Sequence, residues 1–141
     1  MQLSNRFSVA VHALLCVALF ARDYKVTSEF IAGSVGVNPV VIRRILGQLK
    51  KAGLVDVAAG TGGATLTSGP DRITLLDVYR AVDLLEDDTL FSFHANPNPL
   101  CPVGRGIHAA LDGHIRDAQR ALEDSLAAVP LSSLVKDIPI A

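Results

Sequence analysis

Tryptophan is absent from this chain, and tyrosine, phenylalanine and methionine are scarce: two, five and one. The core must therefore be built from Ala, Val, Leu and Ile, which suits close packing of helices. Cysteine is nearly absent. Cys16 and Cys101 are the only two, too few for a disulfide framework, and a reducing cytoplasm is the natural setting. No apolar run reaches the length of a membrane span. The longest candidate, residues 9–21 (VAVHALLCVALFA), is interrupted by His12 and lacks a small-x-small cleavage pattern before Arg22 and Asp23. It reads as a buried first helix rather than a secretory leader. No C-x-x-C or H-E-x-x-H pattern marks a metal site. Nothing resembles a nucleophile with its base, so an enzyme is the class least supported.

What is present is a chain of 141 residues, 50% apolar. That is enough for one compact domain, or a small domain with an added helix, and too apolar for disorder. Net charge is −1, but it is unevenly spread. Residues 1–70 hold seven Lys/Arg against three Asp/Glu, and residues 71–141 hold six against eleven. A basic front half on an acidic rear half points to a polyanion at one face.

The chain is organised around residues 28–53, SEFIAGSVGVNPVVIRRILGQLKKAG. Thr27 or Ser28 is placed to cap a helix with Phe30, Ile31 and Val35 on its inner face. Gly36 ends it, because glycine accepts the left-handed turn. Asn38 caps a second helix and Pro39 occupies its first position, where a missing N–H does no harm. Ile42, Ile45, Leu46 and Leu49 face inward, while Arg43, Arg44, Lys50 and Lys51 point elsewhere. This is the outline of a helix-turn-helix. Pro39, Val40, Arg43 and Arg44 are positioned to read base edges, with Lys50 and Lys51 better placed for phosphates. The alternative is an ordinary helical hairpin with a solvated basic face.

Residues 54–57 and 64–67 read as two short strands joined by AAGTGG, a hairpin that makes a wing when it follows a helix-turn-helix. Gly60, Thr61, Gly62 and Gly63 form its tip, whose N–H groups and hydroxyl suit phosphate or the minor groove. GTGG is not a P-loop, since no Lys-Ser/Thr and no helix follow it. Helices are further expected over residues 5–21, with Ser4 as cap, and over 75–85. Residue 26 is expected in a very short strand against the wing. An acidic, then Pro/Asn-rich loop runs to Pro102. A long helix over 103–128 carries Ile107, Leu111, Ile115, Ala118, Leu122 and Leu126 in a narrow seam of the kind that packs helix on helix. The apolar tail, 130–141, is expected to dock. Cys101 lies at the start of the long helix, where thiols tend to be reactive; the other reading is an inert structural cysteine. Cys16 reads as core. His94, Cys101, His108 and His114 invite a metal reading, but His108 and His114 lie six apart on different helix faces.

As a set these residues resemble the Rrf-two family of bacterial winged-helix transcription regulators. The likeness runs from MQLSNRFSVAVHALLCVA through IAGSVGVNPVVIRRILGQLKKAGLV, the GxGG wing, ITLLDVYRAVD and the CPVG start of the long helix. It implies a homodimer whose long helices pack together while two winged helices read a palindromic site. Cluster-binding members place three cysteines in the loop and at the start of that helix. Here only Cys101 is present; His94, Ala95 and Asn96 stand where earlier thiols would, and Gly104 stands where a relative places a His. The resemblance is therefore to a single-cysteine branch, with no iron–sulfur cluster and no other cofactor expected, and with Cys101 as an oxidant- or electrophile-sensing thiol.

The sequence thus predicts a mainly α fold with a small β-hairpin. A winged helix-turn-helix spans residues 1–72, and a connecting helix, sensor loop and long dimerisation helix span 73–141. The predicted function is a cytoplasmic, homodimeric, DNA-binding transcription regulator, a repressor in the leading reading. Its DNA-binding residues are Ser28, Asn38, Pro39, Val40, Arg43, Arg44, Lys50, Lys51 and the wing tip Gly60, Thr61, Gly62, Gly63. Two alternatives are regulation by a small non-covalent ligand, held between residues 91–99 and the long helix, and a helical protein-interaction module that never touches DNA.

Overall fold

The chain is described here from a computed structural model, for residues 5–60, 62–82 and 93–140. Six helices and one hairpin follow in order: α1 (Arg6–Phe20), α2 (Ser28–Val35), α3 (Pro39–Lys51), β1 (Val55–Val57), β2 (Ala64–Leu66), α4 (Leu75–Val82), α5 (Pro102–Ala127) and α6 (Leu131–Asp137). A single 3-10 turn, Pro70–Arg72, precedes α4. The mainly α architecture with a two-stranded antiparallel hairpin is as the sequence predicts. Ser4, Thr61 and residues 83–92 lie outside the described residues, and with them the expected cap of the first helix, part of the wing tip and the end of the predicted 75–85 helix.

Each short helix is fixed by its ends. The Thr27 hydroxyl accepts the Phe30 N–H at 3.1 Å, so Thr27 rather than Ser28 caps α2. Gly36 closes α2 at φ 85°. The Asn38 carboxamide oxygen accepts the Val40 N–H at 2.9 Å at the start of α3. Such a cap stabilises a helix by about 1 kcal/mol. Thr74 and Asp77 cap α4 reciprocally: each side chain accepts the other's backbone N–H, at 2.9 and 3.2 Å.

One apolar core joins the helices. Leu14, Ile31, Ile42, Ile45, Leu49, Ile73, Val78, Val82 and Leu131 are all buried. Burying each such side chain stabilises the fold by roughly 1.5–3 kcal/mol. Cys16 is part of this core, and the 9–21 stretch is its first helix. Among the described residues no single helix is long and apolar enough to cross a membrane. Val26 is not in a strand, contrary to expectation. Its carbonyl nevertheless accepts the Ala64 N–H at 2.9 Å, which anchors β2 to the segment before α2. The rear of the chain returns to the core: the Leu131 N–H donates to the Ile73 carbonyl at 2.6 Å, and the Leu75 N–H to the Val129 carbonyl at 2.9 Å. Beyond α6 the tail is more open: Ile138 borders α1 while partly exposed, and Ile140 is exposed.

Candidate nucleic-acid interface

The αL turn at Gly36 and the Asn38 cap set α3 across α2, and burial of Ile42, Ile45, Leu46 and Leu49 fixes its rotation. The opposite face is then exposed: Val40, Arg43, Arg44, Gly47, Lys50 and Lys51. The hairpin lies beside it in the register Val55↔Leu66, Asp56↔Thr65 and Val57↔Ala64. Beyond the strands the Ala58 N–H donates to the Gly63 carbonyl at 3.0 Å. Gly60 and Gly63 take φ of 69° and 82°, backbone that L side chains seldom adopt. The sequence signal for this tip was therefore conformational, and the structure uses it.

A cleft of about 340 Å³ opens between the start of α2, the face of α3 and the wing, lined by Ser28, Glu29, Arg43, Val57, Gly60 and Gly63 among others. It continues along Gly47 and Lys50. The structure thus brings Ser28, Arg43, Lys50, Gly60 and Gly63 to one cleft. Val40, 53% exposed, stands at the leading end of α3. Asn38 acts through its cap, and Pro39 occupies the first turn.

Sequence reasoning passed over Glu29. Its carboxylate accepts from Arg43 Nη2 at 2.6 Å. A backbone hydrogen bond, then Arg43, holds the Glu29 carboxyl below its ordinary range, so it stays charged. An acidic residue in the first turn of a helix is ordinary, and nothing in the sequence marked this one as the partner of a side chain fourteen positions away.

The chemistry of this surface is electrostatic and donor-rich, with the Glu29 carboxylate set against its basic side chains. An exposed basic helix, flanked by a helix N-terminus and a glycine wing, is the geometry that enters a duplex groove. Residues 3–137 match the Rrf2 family, described as iron-dependent transcriptional regulators. The chain belongs to the Rrf2 family. It is 45% identical over 136 residues to YwnA of Bacillus subtilis (strain 168), whose name places it among HTH-type transcriptional regulators; the match covers 96% of this chain and 98% of YwnA. A crystal structure of a protein described as DNA-binding is similar at TM-score 0.74 and 42% identity, covering 92% of this chain and 97% of that one. CymR of B. subtilis, described as the global cysteine regulator, shares the fold at TM-score 0.71 and 20% identity, over 96% of this chain and 97% of that one. The relatives of this Rrf2 protein are transcriptional regulators, not enzymes.

The family description raises the question of iron, and the loop before α5 answers it in its donor set. Cys101 is the N-cap of α5, exposed, with no side-chain cap bond. The His108 Nε2–H donates to the His94 carbonyl at 3.1 Å, and its ring rests 4.6 Å from that of Phe93. The Asn98 side chain accepts the Leu100 N–H at 3.0 Å, and its carbonyl accepts the Cys101 N–H at 3.2 Å. That same carbonyl abuts Gly104, so any side chain at 104 would collide with it. One thiol near the loop and a forbidden side chain at 104 do not fit a cysteine-held iron–sulfur cluster. Among the described residues no group of three His, Cys, Asp or Glu side chains is gathered for a metal.

Proposed function

We propose that this Rrf2 protein is a homodimeric, sequence-specific DNA-binding regulator, a repressor that releases its operator when the Cys101 thiol is oxidised or alkylated, without a bound cluster. Residues 1–72 read DNA and 73–141 carry the dimer helix and the signal, in the cytoplasm. The observation that carries the DNA reading is the cleft that gathers Arg43, Lys50, Ser28 and the wing glycines beside an exposed recognition helix. Arg43 and Arg44 present guanidinium donors for guanine O6 and N7. Lys50, Lys51 and the wing hold backbone phosphates. Dimerisation is supported by α5: no residue of its 26 is buried in one chain, although its apolar side chains recur at seam spacing. Leu111 is 39% exposed and Val103 70%. A second copy would cover them, and a palindromic site would mirror that two-fold symmetry.

The test is selection of bound sequences from a random duplex pool, followed by titration of the selected site at fixed salt. Arg43→Ala and Arg44→Ala are each expected to lower affinity for the selected site by about 1–3 kcal/mol with the dimer intact. Unchanged affinity in both variants would reject the assignment of base reading to α3.

One observation favours a second reading, control by a small ligand. A groove of about 400 Å³ lies between α1 and α2, lined by Val11, Leu15, Leu19, Phe20 and Ile138. At its edge the His12 ring and the Ser34 hydroxyl are hydrogen-bonded at 2.8 Å. Induced release that persists in Cys101→Ser would select this reading.

A further inference from the structure

The Glu29–Arg43 pair links α2 to α3 in the lining of the cleft, yet both side chains are more than half exposed, at 64% and 56%. Exposed pairs contribute little to stability, so the fold does not require this one. Its placement is the informative feature. Arg43 lines the same cleft as Ser28 and Lys50, on the surface that the proposed function gives to DNA. A free arginine there would neutralise any phosphate within reach, whatever the sequence. The Nη2 contact draws the guanidinium toward α2 and leaves it further N–H donors.

We infer that Glu29 is a specificity-determining positioning residue, which holds Arg43 for a base edge and withholds it from phosphate. This rests on the DNA-reading function proposed above. It deepens that function by assigning a source of discrimination to a residue that need not contact a base itself. The physical reasoning concerns cost. On non-specific DNA, Arg43 must abandon a charge-assisted bond and leave Glu29 facing a phosphate. On the right site, an acceptor pair such as guanine O6 and N7 meets donors already oriented. The pair therefore disfavours random sequence more than it disfavours the operator.

The experiment compares the full-length protein with Glu29→Gln on two duplexes, the site selected by the wild type and a scrambled one, across a salt series. Affinity of the variant for scrambled DNA should rise about eightfold at roughly 0.1 M salt, the factor for one more neutralised phosphate. Its salt slope on that DNA should steepen by about 0.9. Affinity for the selected site should not rise with it, because the donors are no longer held for the base edge, so the specificity ratio falls by about an order of magnitude or more. In an Arg43→Ala background the same substitution should change little. A pair serving only to clip α2 to α3 would move none of these readouts. A wild type that discriminates between the duplexes, with a ratio and slope unchanged in Glu29→Gln, overturns this inference alone. A full effect in the Arg43→Ala background also overturns it, because Glu29 would then act by direct repulsion. A wild type with no selectivity and no salt dependence overturns the DNA-reading function, and this inference with it.

Discussion

At Gly63 the backbone runs at φ 82°, and an added Cβ would sit 2.8 Å from the Val26 backbone nitrogen. Two independent costs meet there: a left-handed conformation and a collision with main chain, which cannot swing aside. Gly60, at φ 69°, carries only the first, since nothing lies within 4 Å of its added Cβ. Gly63→Ala is therefore expected to destabilise the protein by about 2–3 kcal/mol and Gly60→Ala by about 1 kcal/mol, measured as denaturant midpoints at matched slope. Equal losses would mean that the contact between the wing and Val26 is not a constraint. Arg43 shows the other side of residue-scale reading. Its exposure was legible from the spacing of Ile42, Ile45, Leu46 and Leu49. Its ion pair was not, because periodicity gives a side chain's face and leaves open which neighbour from another helix lies opposite.

Helix ends were the most legible feature at the level of elements. Asn38-Pro39 and Gly36 each name a backbone conformation, and the structure adopts both. Strand ends shifted by one residue, to Val55–Val57 and Ala64–Leu66, although the Thr67 N–H still donates to the Leu54 carbonyl at 3.2 Å. Helix α5 is the element that the proposed dimer would complete. Among the named elements α5 packs on α4, with Arg80 to Glu123 at 3.8 Å, and its first turns meet residues 93–98. Yet Ile107, Leu111, Ile115 and Leu122 remain partly or wholly exposed. Leu111→Glu and Ile115→Glu are expected to convert a dimer into a monomer that keeps most of its helix content. Sedimentation equilibrium with far-ultraviolet circular dichroism would read both. A dimer that survives both charges would place the interface elsewhere.

Across the whole molecule the front half is basic and the rear half acidic, and the proposed division of reading from control follows that asymmetry. Cys101 sits at the N-terminus of α5, about the same helix whose seam would meet its partner. The Asn98 carbonyl against Gly104 ties the preceding loop to the first turn of that helix. A change at the thiol would bear on that turn and on the separation of two half-sites, which a symmetric operator makes geometrically strict. Cys101→Ser is expected to bind the selected site normally and to resist release by peroxide or a quinone, followed by fluorescence anisotropy. Release equal to that of wild type would remove the thiol from the mechanism. Buried Cys16 is not expected to respond.

The sequence by itself determined helices α1 to α5, the Gly36 and Asn38 ends of the helix-turn-helix, the glycine wing and the face of α3 that stays exposed, because each is set by local backbone chemistry or by the period of apolar residues; α6 and the Thr74–Asp77 cap of α4 were not read from it. Only the tertiary structure decided that Val26 anchors the wing without being a strand, that Gly104 has no room for a side chain, and that Glu29 holds Arg43. Each of these depends on which distant segments meet. Such meetings are fixed by packing the whole core at once, and a one-dimensional pattern of residue types does not encode the distances that result.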